Sequence, residues 1–457
     1  MQDILIIGGG PAGSTAGTLL AREGHQVTLL EKARFPREHV GESLLPFCFE
    51  LFQSLGVLDQ FKSMFVRKPS VRFLSCDGTS ATNWCFNEVI KDDSFLSFHV
   101  DRKIFDERLL NNARTHGVDV QEETKVTNVR FDEAADCVEV TSRQGNGGSQ
   151  KQRARFLIDA SGRSSFLASS NGWRVPNQGF ERTAIWTHWS DVRKMTHGLE
   201  QGSALIIYLG GEKRGWIWVF PLSDGHVTAG VVMETAYLQS QKQELLNQGV
   251  QNWQRELYRQ ELMESAVSRK ILADAKEVRP VMVEGDYSYN STQNYGRRFA
   301  LVGDANRFVD PIFSSGVYLS MKSAQLTASA LDTMLQKGNL DNNAGLQAAY
   351  RKINGAYGFV HDLISLFYNP HATSFADAGA AFTDHEDHRN AMAAGHYILA
   401  GDFFENHEKY RLFLKTLSNS RKFEMYRNLV IDPRSSKKEG CKLSPAQKDS
   451  IFPGATH

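Results

Sequence analysis

Residues 4–13 read ILIIGGGPAG, and this stretch decides the fold. The four apolar residues are typical of a buried parallel strand, and the glycines after them predict a tight turn into a helix. Gly8 allows the turn, Gly10 lets the backbone approach a pyrophosphate, and Gly13 allows the helix to pack closely on the strand. The free N–H groups at the helix start favour the same anion. The stretch therefore predicts a dinucleotide site.

An acidic residue supports this interpretation. Residues 26–30 read QVTLL, which predicts a second strand, and Glu31 follows it 21 residues after Gly10. A carboxylate at this distance suits the hydroxyl pair of a ribose. A glycine turn alone would be weak evidence, because such turns are common. The strand, the spacing and the acid together favour a nucleotide site over an ordinary turn between strand and helix.

Length and composition indicate a multidomain enzyme. A chain of 457 residues is too long for one simple core and predicts two or three domains. Lysine plus arginine equals aspartate plus glutamate at 52 each, so we expect no nucleic-acid partner. No apolar run approaches the ~18 residues of a membrane helix, and no basic leader precedes the first strand. We therefore expect no integral membrane segment and a cytoplasmic location.

Cysteine and histidine usage predicts neither disulfides nor a metal site. The five cysteines form no CxxC pair, and an odd, scattered set suggests reduced, mostly buried thiols. The 14 histidines include no HExxH spacing, so we expect no metal. The cysteines are Cys48, Cys76, Cys85, Cys137 and Cys441.

Two further apolar runs extend the first domain. Residues 156–159 read FLID and residues 299–302 read FALV, and both are typical of buried parallel strands. Long alternating segments lie between them, so the predicted α/β fold is a Rossmann-like domain interrupted by a β-sheet domain. The predicted boundaries are 1–70, 99–175 and 285–335 for the nucleotide domain, 71–98 and 176–284 for the sheet (substrate) domain, and 336–457 for a helical C-terminal region with a polar tail.

The turns after these strands resemble a known cofactor fold. Gly303-Asp304-Ala305 follows the third strand, and the DASG turn at 159–162 and the segment VDR at 100–102 complete the set. Together with the glycine turn they resemble the FAD-binding domain of the flavoprotein monooxygenase superfamily. This resemblance implies FAD rather than NAD. The cofactor-binding positions that it implies are Gly8, Gly10, Ala12, Gly13, Glu31, Lys32, Arg37, Ser43, Arg102, Gly303 and Asp304.

Three more stretches resemble flavin-dependent halogenases. Residues 215–221 read GWIWVFP and resemble the WxWxIP motif, with Phe220 in place of isoleucine. Residues 308–317 read FVDPIFSSGV, which resembles the phenol- and pyrrole-type halogenases, many of which act on substrates tethered to carrier proteins. Residues 37–46 (REHVGESLLP) resemble the same subfamily. The resemblance runs from residue 1 to about residue 335 and fades in the C-terminal third.

The resemblance implies a mechanism. Reduced FAD and oxygen give a flavin hydroperoxide, which oxidises chloride or bromide to hypohalous acid. Ser315 and Gly316 stand at the halide positions of the family. Lys68 stands at the lysine of its KxGAxF motif and would direct the oxidant, although Ser70 and Val71 replace the glycine and alanine.

Two tryptophans are candidates for a barrier. Trp216 and Trp218 would lie on one face of a strand and keep an aromatic substrate away from the flavin. The alternative is ordinary packing on a strand face. We count both residues, with Lys68, as candidate catalytic residues.

Single residues and the resemblance suggest the aromatic acceptor and the protein partners. Tryptophan halogenases carry a glutamate two residues before the halide pair, and here Phe313 takes that place. This favours an electron-rich phenol or pyrrole over free tryptophan, and the resemblance implies an acceptor that is free or held on an acyl or peptidyl carrier protein. A second nucleotide fold for NADH is missing from the pattern, so we expect a separate flavin reductase.

Two other functions fit the same fold. One is a flavin monooxygenase that inserts oxygen directly, in which the substrate would contact the flavin and the chain alone would oxidise NAD(P)H. The other is a catalytically silent FAD-binding partner in a biosynthetic assembly, which would bind flavin without turnover.

Overall fold

A computed structural model gives the fold of most of the chain. The described residues are 1–145, 147–209, 215–223, 225–285, 288–369, 371–373, 389–419, 421 and 440–454, with the side chains of 389–392 left aside. The predicted C-terminal region, 336–457, therefore lies partly outside the described residues.

The first sheet forms around the apolar runs that the sequence predicts. Its path runs β19-β20-β10-β1-β2-β7, and β9 joins β8 to β10 by antiparallel pairing. The strand β1 pairs in parallel with β2 and β10, and β10 pairs in parallel with β20. The bounds are β1 Gln2–Ile7, β2 Val27–Leu30, β7 Asp119–Gln121, β8 Thr124–Asp132, β9 Cys137–Gln144, β10 Ser149–Asp159, β19 Tyr295–Gly296 and β20 Phe299–Leu301.

The second sheet carries the halogenase-like GWIWVFP stretch. Its path runs β16-β12-β15-β14-β13-β4-β5, with β17 paired to β12. The bounds are β4 Ser70–Leu74, β5 Ala81–Cys85, β12 Arg182–Ser190, β13 Ala204–Leu209, β14 Gly215–Ser223, β15 His226–Glu234, β16 Lys276–Glu277 and β17 Met282–Glu284. Two small sheets contain β3 Val66–Lys68 with β6 Ser97–His99, and β11 Arg174–Pro176 with β18 Tyr289–Ser291 and β21 Arg307–Phe308.

Helices cover both sheets. The helix α1 follows the glycine turn and packs on α4 and α9, and Asp101 begins α4 by accepting the N–H of Lys103 at 3.0 Å. The described helices are α1 Pro11–Arg22, α2 Phe49–Leu55, α3 Leu58–Met64, α4 Arg102–Thr115, α5 Phe166–Ser170, α6 Thr235–Asn247, α7 Trp253–Glu264, α8 Ala266–Leu272, α9 Gly316–Gln336, α10 Ala344–Tyr368, α11 Arg389–Ala400, α12 His407–Leu417 and α13 Pro445–Asp449.

The two faces of the second sheet have different surroundings. Alternate residues of β14, Ile217 and Val219, pack in a core with residues of α6, α7 and α8. These three helices lie inside the segment that the sequence pattern predicted as a sheet domain. Trp216, Trp218 and Phe220 point to the other side and pack in the core that includes the first sheet. We call these three residues the tryptophan face.

The tail corrects one prediction. Cys85 of β5 and Cys441 form a disulfide, so the prediction that all five thiols are reduced is wrong for this pair. The tail also accepts a backbone hydrogen bond, from the N–H of Arg67 to the carbonyl of Ile451 at 2.9 Å. The two cysteines of the disulfide lie 356 positions apart, so no local pattern could predict their pairing.

Two kinds of feature are absent from the described residues. In that part of the chain, no helix is long and apolar enough to cross a membrane. The same residues contain no group of three or more histidine, cysteine or acidic side chains that would hold a metal ion.

Candidate active site

A cavity of about 540 Å³ lies between the glycine turn, the tryptophan face and the start of α9. Twelve of the predicted site residues line it, which shows that positions far apart in the sequence meet at one place. They are Gly8, Gly10, Ala12, Glu31, Lys32, Arg37, Ser43, Arg102, Trp216, Trp218, Asp304 and Gly316.

Four predicted residues stand behind this wall. Gly13 and Gly303 shape the backbone, and Ser315 is buried directly before Gly316. Lys68 is also buried, and its contacts are described below. Within the described part of the chain, none of the four contributes to the lining of the cavity.

The glycine turn has the shape that a pyrophosphate requires. A Cβ atom on Gly8 would lie 2.4 Å from the carbonyl oxygen of Ala160, and one on Gly13 would lie 1.9 Å from the carbonyl oxygen of Gly8. Gly8 also has φ +101°, which side chains rarely adopt. At Gly10, by contrast, a Cβ would meet only Nη2 of Arg37, at 3.5 Å. The turn is closed behind Gly8 and Gly13 and open to the cavity at Gly10.

Glu31 fixes the same turn from the next strand. Its Oε2 accepts the N–H of Gly9 at 2.7 Å, and its Oε1 accepts the N–H of Ala33 at 2.8 Å. A carboxylate has about four acceptor positions, so two remain for other donors. Because Glu31 also lines the cavity, those positions suit ribose hydroxyls.

Basic side chains surround the turn. Arg102 makes two hydrogen bonds to Asp106, Nε to Oδ1 at 2.7 Å and Nη2 to Oδ2 at 2.9 Å, and Nη1 of Arg37 lies 3.3 Å from the same Oδ2. Lys32 donates to Oγ of Ser164 at 2.9 Å. Burial, followed by the charge of Arg102, lowers the pKa of His39 to about 3, so this ring is neutral. The wall thus offers fixed positive charges to a pyrophosphate.

Asp304 and Ser43 approach the cavity from two other segments. Burial raises the pKa of Asp304 to about 6, although Arg102 opposes this shift, so the carboxylate is ionised at neutral pH. Ser43 is held by strand-like backbone bonds, in which Leu44 N–H donates to Phe98 and Val100 N–H donates to Glu42. The Oγ of Ser43 is buried and has no partner among the described residues. Both side chains therefore suit a polar ligand.

The sequence reasoning missed Glu42 and Asp106. Glu42 lines the cavity and binds Nε2 of His188 through Oε1 at 2.9 Å. It lies beside Ser43 in a segment that already resembled the halogenases, so its place could have been predicted. Asp106 stands four residues after Arg102, a spacing that brings the two together on a helix.

The tryptophan face forms one wall of the cavity. The rings of Trp216 and Trp218 lie 5.7 Å apart, and Phe220 stacks on Trp218 at 6.4 Å. Nε1 of Trp218 donates to Oγ1 of Thr228 at 3.3 Å. The indoles are held at both ring and nitrogen, so the wall is rigid.

The turn before α9 forms another wall. We call residues 310–316 the α9 turn. Asp310 caps it, with Oδ1 accepting the N–H of Ile312 at 3.0 Å, and Ser314 takes φ +54°. The first backbone bond within the helix runs from Leu319 to the carbonyl of Ser315 at 2.9 Å. The N–H groups before Leu319 therefore have no partner within the helix, and they carry its positive dipole end.

Two details make this turn suitable for a small anion. A Cβ on Gly316 would meet nothing within 4 Å, so its backbone is open to the cavity. The Oγ of Ser315 is fully buried and has no partner among the described residues. Phe313 packs edge-on against Phe367, with the ring centroids 5.9 Å apart.

Lys68 lies behind the tryptophan face. Only 2% of it is exposed, and its Nζ donates to the carbonyl of Leu44 at 2.9 Å. Burial lowers its pKa to about 7. Phe220 stacks on His99 at 5.3 Å, and the charge of Lys68 adds to the effect of burial in lowering the pKa of His99. Lys68 therefore does not line the cavity, but its charge acts on His99, which contacts the tryptophan face.

Comparison with known proteins gives the family of the chain. Residues 1–344 match the family described as "FAD binding domain". The chain is 34% identical to a tryptophan 2-halogenase of Chondromyces crocatus over 373 residues, which is 81% of this chain and 68% of the relative. It is 30% identical to the 1H-pyrrole-2-carbonyl-[peptidyl-carrier protein] chlorinase of Pseudomonas fluorescens, covering 80% of this chain and 83% of the relative.

A solved structure shows the same fold. The myxobacterial chondrochloren halogenase, a variant of the FAD-dependent halogenases, superposes with a TM-score of 0.73 at 28% identity, and the match covers 94% of this chain and 96% of the other. The structural match therefore extends beyond the first 335 residues, where the motifs lie. The chain belongs to the flavin-dependent halogenases, enzymes with FAD as cofactor and halide as co-substrate.

Proposed function

We propose that this halogenase chlorinates or brominates an electron-rich aromatic acceptor, a phenol or a pyrrole. One observation carries the proposal: a single cavity is bounded by the glycine turn, the tryptophan face and the α9 turn. These three parts supply a cofactor site, a barrier and an anion site. A halogenase needs all three within a short distance of one another.

The glycine turn and its neighbours would hold FAD. The open backbone at Gly10 and the start of α1 suit the pyrophosphate, Glu31 suits the adenosine ribose, and Asp304 suits hydroxyl groups of the ribityl chain. Arg37 and Arg102 balance the phosphate charge. When bound and reduced, FAD supplies the oxygen activation that converts halide to hypohalous acid.

The α9 turn would hold the halide. The backbone N–H groups near Ser315 and Gly316 have no partner within the helix, and they carry a partial rather than a full positive charge. Such a site binds an anion without pairing it permanently, so the halide remains free to react. The buried hydroxyl of Ser315 can donate one more hydrogen bond.

The tryptophan face would keep the acceptor from the flavin. Two indoles and a phenyl ring fill the wall. The indole nitrogens already donate hydrogen bonds to Tyr368 and Thr228. An aromatic acceptor would therefore wait on the far side, where the diffusing oxidant reaches it. Direct oxygen insertion would be blocked.

Lys68 would direct the oxidant to the acceptor. Burial lowers the pKa of this side chain to about 7, well below the ordinary value of a lysine. One ammonium proton binds the carbonyl of Leu44, so two others can hold hypohalous acid by hydrogen bonds. Phe220 of the cavity wall stacks on His99, and the charge of Lys68 acts on His99, so we propose that the oxidant passes along these side chains.

Two relatives bear on the acceptor. The pyrrole chlorinase of Pseudomonas fluorescens acts on a carrier-bound acceptor, which supports a pyrrole or phenol on an acyl or peptidyl carrier protein here. Phe313 supports the same choice, since it leaves an apolar ring where tryptophan halogenases carry glutamate. The tryptophan 2-halogenase favours an indole as the rival acceptor. We also propose a separate flavin reductase as partner.

One assay tests the proposed function. The FAD-loaded protein is supplied with a flavin reductase, NADH, oxygen and chloride or bromide, and it is offered free and carrier-tethered phenols, pyrroles and tryptophan. We expect the halogen isotope pattern in the mass spectrum of a tethered or free phenol or pyrrole. Halogenated tryptophan alone would overturn the acceptor class, and oxygenated product alone would favour a monooxygenase.

A further inference from the structure

The last residue of α10, Tyr368, connects the tryptophan face to the α9 turn. Its hydroxyl oxygen accepts the N–H of Trp216 at 2.9 Å, and its O–H donates to Oδ2 of Asp310 at 2.9 Å. The other carboxylate oxygen, Oδ1, accepts the N–H of Ile312 within the turn. Trp216 is 2% exposed and Asp310 is 1% exposed, so bulk water offers neither group an alternative partner.

The direction of these bonds is fixed by chemistry. An indole N–H can only donate, and an ionised carboxylate can only accept. Tyr368 is therefore the one group of the three that both accepts and donates, and its hydroxyl has a single orientation. Removing that oxygen would leave the indole N–H of Trp216 without its acceptor and Oδ2 of Asp310 without its donor, both of them buried.

The surroundings of Tyr368 hold its ring in place. The guanidinium of Arg182 lies 4.4 Å from the centre of the Tyr368 ring. The preceding residue, Phe367, stacks on Tyr208 of the second sheet at 5.1 Å and packs against Phe313 of the α9 turn. A phenyl ring at position 368 would keep this packing and lose only the hydroxyl.

We propose that Tyr368 is a positioning residue for halide binding, which fixes the α9 turn relative to the tryptophan face through its hydroxyl. The proposal rests on the proposed function, because it assumes that the α9 turn binds the halide. Tyr368 itself lies in the C-terminal region, outside every motif that resembles the halogenases. Three parts of the chain meet at this oxygen: the α9 turn, the strand β14 and the helix α10.

The test uses Tyr368→Phe with a matched control on the other face of the same sheet. There Trp189 donates to the hydroxyl of Tyr258 at 2.8 Å, and Tyr258 donates to the carbonyl of Ala229 at 2.9 Å. Tyr258→Phe deletes the same atom from the same kind of pair, away from the cavity. The line width of ³⁵Cl in NMR, with bromide as competitor, reports halide binding to the oxidised FAD-loaded protein without turnover.

We expect Tyr368→Phe to weaken bromide binding about fivefold, as loss of one buried hydrogen bond would do, and to raise KM for bromide by the same factor. The kcat value and the affinity for FAD should stay within about twofold of wild type. In Tyr258→Phe, all four quantities should stay within about twofold as well.

Several outcomes would overturn the inference. Unchanged bromide binding in Tyr368→Phe would make the residue a packing element, and a parallel loss of FAD would show general destabilisation. If Tyr368→Phe does not fold, Trp216→Phe decides, because it deletes the indole N–H that Tyr368 accepts. About fivefold weaker bromide binding is expected for this loss of one buried hydrogen bond, and a change within about twofold overturns the inference. Absence of chloride broadening in wild type would instead contradict the halide site itself.

Discussion

Each face of the second sheet carries a tryptophan bonded to a tyrosine. On the face covered by α6, α7 and α8, Trp189 donates to Tyr258, which donates to the carbonyl of Ala229. On the cavity face, Trp216 donates to Tyr368, and here the final acceptor is the carboxylate of Asp310. Both pairs satisfy a buried indole and a phenol by the same physics.

The difference between the faces lies in the final acceptor. A backbone carbonyl never changes charge, so the first chain of bonds is purely structural. Burial raises the pKa of Asp310 to about 6, which makes the second chain sensitive to its surroundings. Two aromatic pairs of one sheet thus have the same hydrogen-bond pattern but different neighbours, and only the Trp216 pair borders the cavity in which we propose the FAD site.

The largest expected effect is the loss of FAD binding when the glycine turn is blocked. Gly10→Val should abolish FAD binding and still fold, because its Cβ would meet only Nη2 of Arg37 and would occupy the pyrophosphate space. Gly358→Val is the control, since its Cβ would meet nothing within 4 Å on α10. Flavin absorbance of the purified proteins reports occupancy. Full FAD in the Gly10 variant would contradict the assignment of the site.

The next prediction compares the two faces directly. Replacing both Trp216 and Trp218 with alanine should cost about 3–5 kcal/mol of stability per buried ring, and Trp189→Ala should cost about the same for its one ring. Only the double variant should release oxygenated product, because only its rings separate the acceptor from the flavin. Urea unfolding and mass spectrometry measure the two effects. Identical products from both variants would reduce the tryptophan face to ordinary packing.

The lowered pKa of Lys68 predicts that the free energy of unfolding depends on pH. Between its folded pKa of about 7 and its ordinary value of 10.5, Lys68 binds fewer protons in the folded than in the unfolded state. Stability should therefore rise with pH across this window, by at most ~5 kcal/mol. Lys68→Met should remove the rise and be the more stable protein at pH 7. If the curves of unfolding free energy against pH are parallel for wild type and Lys68→Met, the pKa of Lys68 is not lowered in the folded protein.

The smallest expected effect concerns the tail, which lies away from both aromatic pairs. Cys441→Ser breaks the bond to Cys85 and should cost about 2–4 kcal/mol, measured by urea unfolding without reductant. Reductant should have little further effect on this variant. Cys76→Ser, at a partly exposed cysteine outside the disulfide, is the control. An equal loss in both variants would assign the effect to packing instead.

The sequence predicts most of what depends on local chemistry. The glycine turn and its carboxylate lie within 28 residues, and their sterics leave few alternatives, so the FAD fold followed from them. The tryptophan face followed from alternation along one strand. Positions matched by motif, such as Gly316, also line the cavity.

Long-range partners escaped prediction. Tyr368 stands 58 residues after Asp310, and no periodicity relates the two. The pKa of Lys68 depends on its burial, which the residues next to it in the sequence do not show. Helices α6, α7 and α8 form inside the segment predicted as the sheet domain, because that prediction rested on the alternation of the strands before them.

The central claim is that Lys68 acts on an oxidant formed elsewhere in the protein. The direct test is Lys68→Met, with FAD, a reductase, NADH, oxygen, bromide and the best acceptor from the panel. NADH consumption should stay near wild type while halogenated acceptor falls about 100-fold or more, and added monochlorodimedone should trap the unused hypobromous acid. Halogenated acceptor at the wild-type rate would contradict the account and leave Lys68 as a packing residue.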